Sequence, residues 1–318
     1  MLHRNFRYIE DQDSLFAKGA SWEVGYNPQT EWAWLITTAF FLGEVGAGLF
    51  LVSLFLPGKI GLVSAIAGWL IVTVGKNTFH FIYLGKPWRF WRMMFRPQTS
   101  WITRGFYATG ALMAFGFLHV VFLYKGINTP LSMAVAWIAG FSAFVVMIYD
   151  GIVMAYSPSL PLWNNSLLPV LRVSYALMGG VTLTLLLSAM PDLAGILTAS
   201  RLHVLENLER WLIIANLVMV VIYIMTMTYS VTTAKESAYL IIKKKYPAVF
   251  WVGVVFVGLV VIFMLPVIVT THSIAVLMLM ATCELIGDYC ILFLLLRSGV
   301  FSPLMPHPNI DAALFARS

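Results

Sequence analysis

Cysteine and charge are both scarce in this chain. Only Cys283 and Cys290 occur among its 318 residues. On one helix, seven positions would part them by about 10 Å, too far for a disulfide. With no CxxC pair and no four-cysteine set, the polypeptide is expected to hold neither an iron–sulfur cluster nor a metal site of its own. Charged residues make up 11% of the sequence against 60% hydrophobic, too little polar surface to clothe a soluble domain of this length. The opening stretch lacks an apolar run after a basic start, so no cleavable signal peptide is expected and the first hydrophobic span directs insertion itself. Nucleic acid is excluded as a partner. The net charge of +6 comes from Lys and Arg in short loops between apolar runs, not from a phosphate-binding stripe.

What fills the sequence instead is hydrocarbon-compatible length. Eight apolar windows, near 32–56, 60–84, 103–124, 131–156, 167–190, 208–234, 247–270 and 273–298, each approach or exceed the twenty or so residues that cross a bilayer as a helix. The expected fold is therefore an all-α integral membrane protein of eight transmembrane helices, arranged as two four-helix bundles. The expected division is a polar segment 1–31, a first bundle 32–156, a second bundle 157–298 and a tail 299–318. Glycines such as Gly43, Gly46, Gly48, Gly179 and Gly180 would let helices approach closely in lipid.

An even number of spans puts both termini on one face, called side A, with the loops near 85–102, 157–166 and 235–246. Fourteen Lys and Arg fall on side A, whereas side B has Lys59, Lys125, Arg201 and Arg210. By the positive-inside rule side A is expected in the cytoplasm, and the protein in the cell (inner) membrane.

Several spans carry an ionisable group, which persists in hydrocarbon only when paired, hydrated or useful. Counting along the helices places Glu44 near the midplane with Lys76 on the antiparallel neighbour, so the two are expected to pair. His80 lies one turn beyond Lys76, and Tyr149 and Asp150 sit at similar depth on the fourth span. In the second half Glu284 and Asp288 are four apart on one face, with Arg172 nearer side A. Two carboxylates that close repel if both ionise, so one keeps its proton or finds a cation. Glu44, Lys76, Glu284, Asp288 and Arg172 are thus candidates for a proton path. A bis-histidine haem needs two histidines at one depth; His80 lies toward side A and His119, His203 and His272 toward side B, so no haem is expected.

The stretch Lys86-Pro87-Trp88-Arg89-Phe90-Trp91-Arg92, running on to Arg96 and Arg104, mixes tryptophan with arginine where a helix leaves the bilayer. It has the composition of an aromatic belt with snorkelling cations, and also of a docking surface for an acidic partner built on Trp88, Trp91, Arg89, Arg92, Arg96 and Arg104.

Leu84-Gly85-Lys86-Pro87-Trp88-Arg89-Phe90-Trp91, followed by Arg96-Pro97-Gln98-Thr99-Ser100-Trp101-Ile102-Thr103-Arg104-Gly105, resembles the LGRPxRFW and RPxTSWxxRG signature of the NrfD/polysulfide reductase membrane-subunit family. Tyr149-Asp150-Gly151 with Pro161-Leu162-Trp163-Asn164 and Leu167-Leu168-Pro169 is similar to its YTG and PLWNTPLLP segments. Phe40-Phe41-Leu42-Gly43 with Gly46-Ala47-Gly48 is similar to its first-helix pattern. The resemblance implies a haem-free anchor that exchanges electrons between a membrane quinone, menaquinone or ubiquinone, and a ferredoxin-like iron–sulfur partner. Through that partner it would serve a catalytic subunit, often a molybdenum enzyme. It also implies a quinone head group in the first bundle on side A. Tyr149 matches a family tyrosine that can bond a quinone carbonyl, and Asp150 stands where the family has a small or hydroxyl residue. Polar first-helix residues of some members fall here at about Ile36 and Ala39, so Lys76, His80 and Asp150 are expected in their place.

The competing expectation is a proton- or ion-translocating membrane subunit with no quinone site of its own. A solute transporter would show broken helices in matching halves; Pro266 in the seventh span has no counterpart.

Overall fold

The computed structural model describes residues 27–268 and 274–302. His272, Arg317, and most of the expected polar start and tail lie outside the described residues, as does the side chain of Pro266. Among the described residues, seven helices are long and apolar enough to cross a membrane, and a sharply bent pair makes up to eight. In chain order these are α1 (Trp34–Ser53), α2 (Gly58–Tyr83), α3 (Trp101–Lys125), α4 (Pro130–Ala155), α5 (Leu167–Ser188) and α6 (Ala199–Thr228). They are followed by the bent pair α7 (Thr232–Lys244) and α8 (Val249–Leu265), then by α9 (Ile274–Arg297). No strand occurs among the described residues beyond a single bridge between Pro28 and Val300. This is the architecture of a multi-pass, all-helical membrane protein.

Local chemistry explains where the helices begin. Ser100 of the RPQTSW stretch caps α3, its Oγ accepting from the Thr103 N–H at 3.3 Å. Thr129 and Ser132 form a reciprocal box at the start of α4 with Pro130 in its first turn, and Thr198 caps α6. Each cap satisfies a backbone donor that helix geometry leaves orphaned, which matters most where water is scarce.

Two boundaries differ from the sequence expectation. The sixth span is expected at 208–234. The helix nevertheless starts at Ala199 and buries Glu209 against its neighbours. The Lys-rich stretch 235–246 was read as a loop, but α7 is helical through it and meets α8 at 76°. Pro247 sits at the elbow, where its missing N–H and its effect on the preceding residue stop a straight helix.

Packing centres on α1 and α5. α1 lies against α2, α4, α5 and α9, so the first span touches members of both expected bundles. The α1–α5 crossing is made by small residues. A Cβ at Gly48 would stand 1.8 Å from the Ala176 carbonyl oxygen, and one at Gly180 would stand 2.4 Å from the Gly48 backbone. Only glycine permits backbones this close.

The PLWNN segment braces the far end of this core. The Trp163 indole N–H donates to the Leu295 carbonyl at 2.7 Å, the Tyr223 hydroxyl donates to the Leu162 carbonyl, and the Asn164 amide closes on the Ala155 carbonyl at 2.6 Å. The α4–α5 loop is thereby tied to α6 and α9. The two ends of the described chain also lie together, with Gln29 N–H donating to the Gly299 carbonyl and Arg297 to the Thr30 carbonyl, both at 2.7 Å.

Candidate functional site

The middle of α2 is not a regular α-helix. Its turns widen to the π type over Ile71–Lys76 before α-helix resumes at Asn77. An extra residue in a turn rotates all later side chains by about 100°, one step at 3.6 residues per turn, and such wide turns recur at functional sites. The consequence falls on Lys76. Its stem crosses α1 at Gly43, where a Cβ would stand 2.9 Å from Lys76 Cδ. Its ammonium reaches the Tyr149 hydroxyl on α4 at 2.6 Å and lies 3.5 Å from His80 Nε2.

Tyr149 is held as closely. Its ring covers Gly105 of α3, where a Cβ would come within 2.2 Å of the ring, and the edge of Phe40 packs 6.2 Å from it. The neighbouring Asp150 is 1% exposed, and its Oδ1 accepts from the Gly151 N–H at 2.7 Å. Having accepted from Lys76, the Tyr149 hydroxyl keeps its own hydrogen to give, and no acceptor for it is found among the described residues. His80 Nδ1 is buried without a partner, beneath Phe40 at 5.7 Å. Two separate stretches of sequence, on α2 and α4, therefore deliver Lys76, His80, Tyr149 and Asp150 to one cluster.

The expected Glu44–Lys76 pair is not formed. Glu44 is taken by Arg172 of α5, whose Nε donates to Oε1 at 2.5 Å while a terminal nitrogen contacts Oε2. Another arm of the same guanidinium lies 3.6 Å from Asp288 on α9. All three side chains are buried at 2% exposure or less. The reason is geometric: a planar fork can serve two carboxylates at once, and the Gly48–Gly180 crossing brings α5 close enough to deliver it.

Glu284, one turn from Asp288 on α9, does not share that cation in a direct contact. Its Oε2 lies 2.5 Å from the Thr182 hydroxyl, which also lies 2.7 Å from Oε1 of Glu209 on α6. Sequence reading singled out neither Glu209, at the charged end of the sixth span, nor Thr182, which has no signal of its own in an apolar helix. In sum, polar groups run through the interior from His80 and Lys76, by Tyr149 and Asp150, past Arg172 with Glu44 and Asp288, to Glu284, Thr182 and Glu209.

On side A, the segment Pro87–Phe95 forms a short 3-10 stretch between α2 and α3. Trp88 is 90% exposed, and Trp91, Arg89, Arg92 and Arg96 are exposed beside it. Arg104 is used differently, since it donates to the Pro97 and Gln98 carbonyls at 2.9 and 2.8 Å and stacks over Trp101 at 4.2 Å. It shapes the loop from within.

The sequence model of the family described as "Polysulphide reductase, NrfD" matches residues 22–303. The chain is also 22% identical over 315 residues to a protein of Haemophilus influenzae described as "Protein NrfD homolog", covering 86% of this chain and 96% of that one.

Proposed function

Because the chain belongs to the polysulphide reductase NrfD family, we propose that it is the quinone-reactive membrane subunit of a multi-subunit oxidoreductase. It would exchange electrons between a membrane quinone and a partner iron–sulfur subunit that serves a catalytic subunit. The observation that carries the reading is the convergence on Lys76 of Tyr149 and His80, each within hydrogen-bond reach of its ammonium, with Asp150 next to Tyr149 in the chain. Tyr149 has a hydrogen to donate, strengthened by the ammonium behind it, and His80 offers an unpartnered nitrogen. Those groups suit a carbonyl that becomes a hydroxyl. A bound quinone would supply the two-electron chemistry; the protein's part is to seat the head group and move protons at these atoms.

Lys76 orients the Tyr149 hydroxyl and fixes its acceptor side, so that its hydrogen points outward from the pair. His80 and Asp150 are the proton-exchanging groups nearest to it. The row through Glu44, Arg172, Asp288 and Glu284 gives those protons a route into the second half of the protein. In the competing reading this row moves protons with no quinone bound here. The unsatisfied donor and acceptor at Tyr149 and His80 favour a bound polar ligand.

In the purified complex, Tyr149→Phe is expected to slow quinol-driven reduction of the partner's clusters by about tenfold or more, the usual scale for losing one positioned proton donor. Assembly should be intact, because Phe keeps the ring that fills the space over Gly105. Cluster reduction indifferent to both Tyr149→Phe and His80→Ala would favour the translocation reading.

Docking of the partner is placed on the exposed Trp88, Trp91, Arg89, Arg92 and Arg96 surface, with Arg104 supporting it. We read the charge bias as favouring a cytoplasmic position for this side. A reporter active only outside the cytoplasm, fused after Ser318, is expected to be silent; activity there would place the partner on the outside.

A further inference from the structure

Thr182 holds together two acids that should not otherwise tolerate each other. Its hydroxyl lies 2.7 Å from Glu209 Oε1 and 2.5 Å from Glu284 Oε2, and all three side chains are at most 6% exposed. A threonine hydroxyl has one hydrogen, so it donates to one carboxyl only. The other contact is a hydrogen bond only if that carboxyl brings a hydrogen of its own. Two carboxylate anions would leave a lone pair facing a lone pair at bonding distance, and each charge uncompensated in hydrocarbon.

Among the described residues, no buried cation relieves this. On α5, Arg172 is engaged by Glu44 and Asp288, and Tyr175, a neutral phenol, is buried with no hydrogen-bond partner for its hydroxyl among the described residues. On α6, Glu206 adds a like charge to Glu209, and Arg210 opposes it only from an exposed position. On α9, Asp288 is again a carboxyl. Glu284 Oε1 and, two turns beyond Glu209 on α6, Asn216 Oδ1 are buried acceptors without a hydrogen-bond partner among the described residues. The place is thus rich in acceptors and holds no cation of its own among the described residues.

We propose that Glu284, Thr182 and Glu209 form a proton relay, an acid, a hydroxyl and a carboxylate that hold one extra proton and pass it between the Arg172 cluster and side B. In the transfer, the acid's O–H bond breaks as its proton joins Thr182 Oγ, and the original Thr182 O–H bond breaks as its proton joins the opposite carboxylate. One proton has moved, the threonine is regenerated, and no charge is left on it. Glu206, three residues before Glu209 and therefore on its face of α6, is only partly buried and carries the route toward side B. The relay rests on the quinone reading only for the reaction that drives it.

Infrared spectra of the purified complex in H2O and D2O test the shared proton without any turnover. The wild type is expected to show a deuterium-sensitive carboxylic-acid C=O band that is lost in Glu284→Gln or Glu209→Gln, displaced in Thr182→Val and kept in Thr182→Ser. A spectrum in which neither Gln variant removes such a band overturns the proposal. In sealed vesicles, quinol-driven pH change at the Glu206 face should fall about tenfold or more in Glu209→Gln and persist in Thr182→Ser. Electron transfer to the partner in detergent separates the two ideas. Wild-type electron transfer with no pH change at that face, or a change that survives both Glu209→Gln and Thr182→Val, sinks the relay and leaves the quinone site standing. Electron transfer insensitive to Tyr149→Phe and His80→Ala sinks the quinone site and leaves the infrared result untouched.

Discussion

Arg172→Ala is expected to destabilise the folded protein by about 3–5 kcal/mol, the cost of removing one partner from a buried ion pair. The magnitude follows from what would be left behind. Glu44 and Asp288 have no other cation within salt-bridge distance among the described residues, and both are sealed from solvent. Their only remedy would be to take up protons or draw the helices apart. Arg172→Lys should recover little, because a single ammonium cannot reproduce a fork that contacts Glu44 through two nitrogens and still extends toward Asp288. The combination of Arg172→Met with Glu44→Gln and Asp288→Asn should restore folding, since replacing all members of a buried ion cluster is often neutral. Thermal unfolding of the detergent-purified protein, followed by the loss of its monodisperse elution peak, measures this. An Arg172→Ala protein that melts with the wild type would show that the triad does not hold α1, α5 and α9 together.

That triad also marks where sequence reasoning stops. Hydropathy alone located the seven long spans, though not all of their ends, because crossing hydrocarbon imposes a length and a polarity that any window can measure. Lys76, Glu44, Arg172 and Asp288 were legible as residues of interest for the same reason, each being too costly to ignore. Their partners were not legible. Pairing Glu44 with Lys76 assumed that adjacent antiparallel helices share their charges, whereas the wide turns of Ile71–Lys76 and the close α1–α5 crossing redirect both groups. Glu209 shows the opposite failure: near the end of its span and flanked by Glu206 and Arg210, it carries no sequence sign of burial, and only the arrangement of α5, α6 and α9 reveals that it is buried. The signature segments fared differently again. RPQTSW and PLWNN stand out as motifs, yet their work as a helix cap, a loop clamp and an indole brace appears only once Ser100, Arg104 and Trp163 have partners. At the site itself, Tyr149 came from resemblance and Lys76 from charge, and nothing in the spacing foretold that one would donate to the other.

Lys76→Met follows as the largest expected loss of activity, about 100-fold in quinol-driven electron transfer, within the range for removing a group that both orients and exchanges protons. Methionine fills much of the lysine volume against Gly43, so the helices should keep their places while the Tyr149 hydroxyl loses its donor and turns freely. Lys76→Arg is not expected to rescue. Gly43 leaves room for a methylene stem and no more, a Cβ there already standing 2.9 Å from Lys76 Cδ, and a planar guanidinium would have to displace His80 or the Tyr149 ring. The loss should combine with Tyr149→Phe less than additively, because the two residues act as one unit, and a double-variant cycle on the cluster-reduction rate reads that coupling directly. Independent, fully additive losses would mean that Lys76 serves the proton row through Asp150 and Arg172, not the tyrosine. In that case Lys76→Met should still slow proton movement across vesicles while leaving electron transfer in detergent near the wild-type rate.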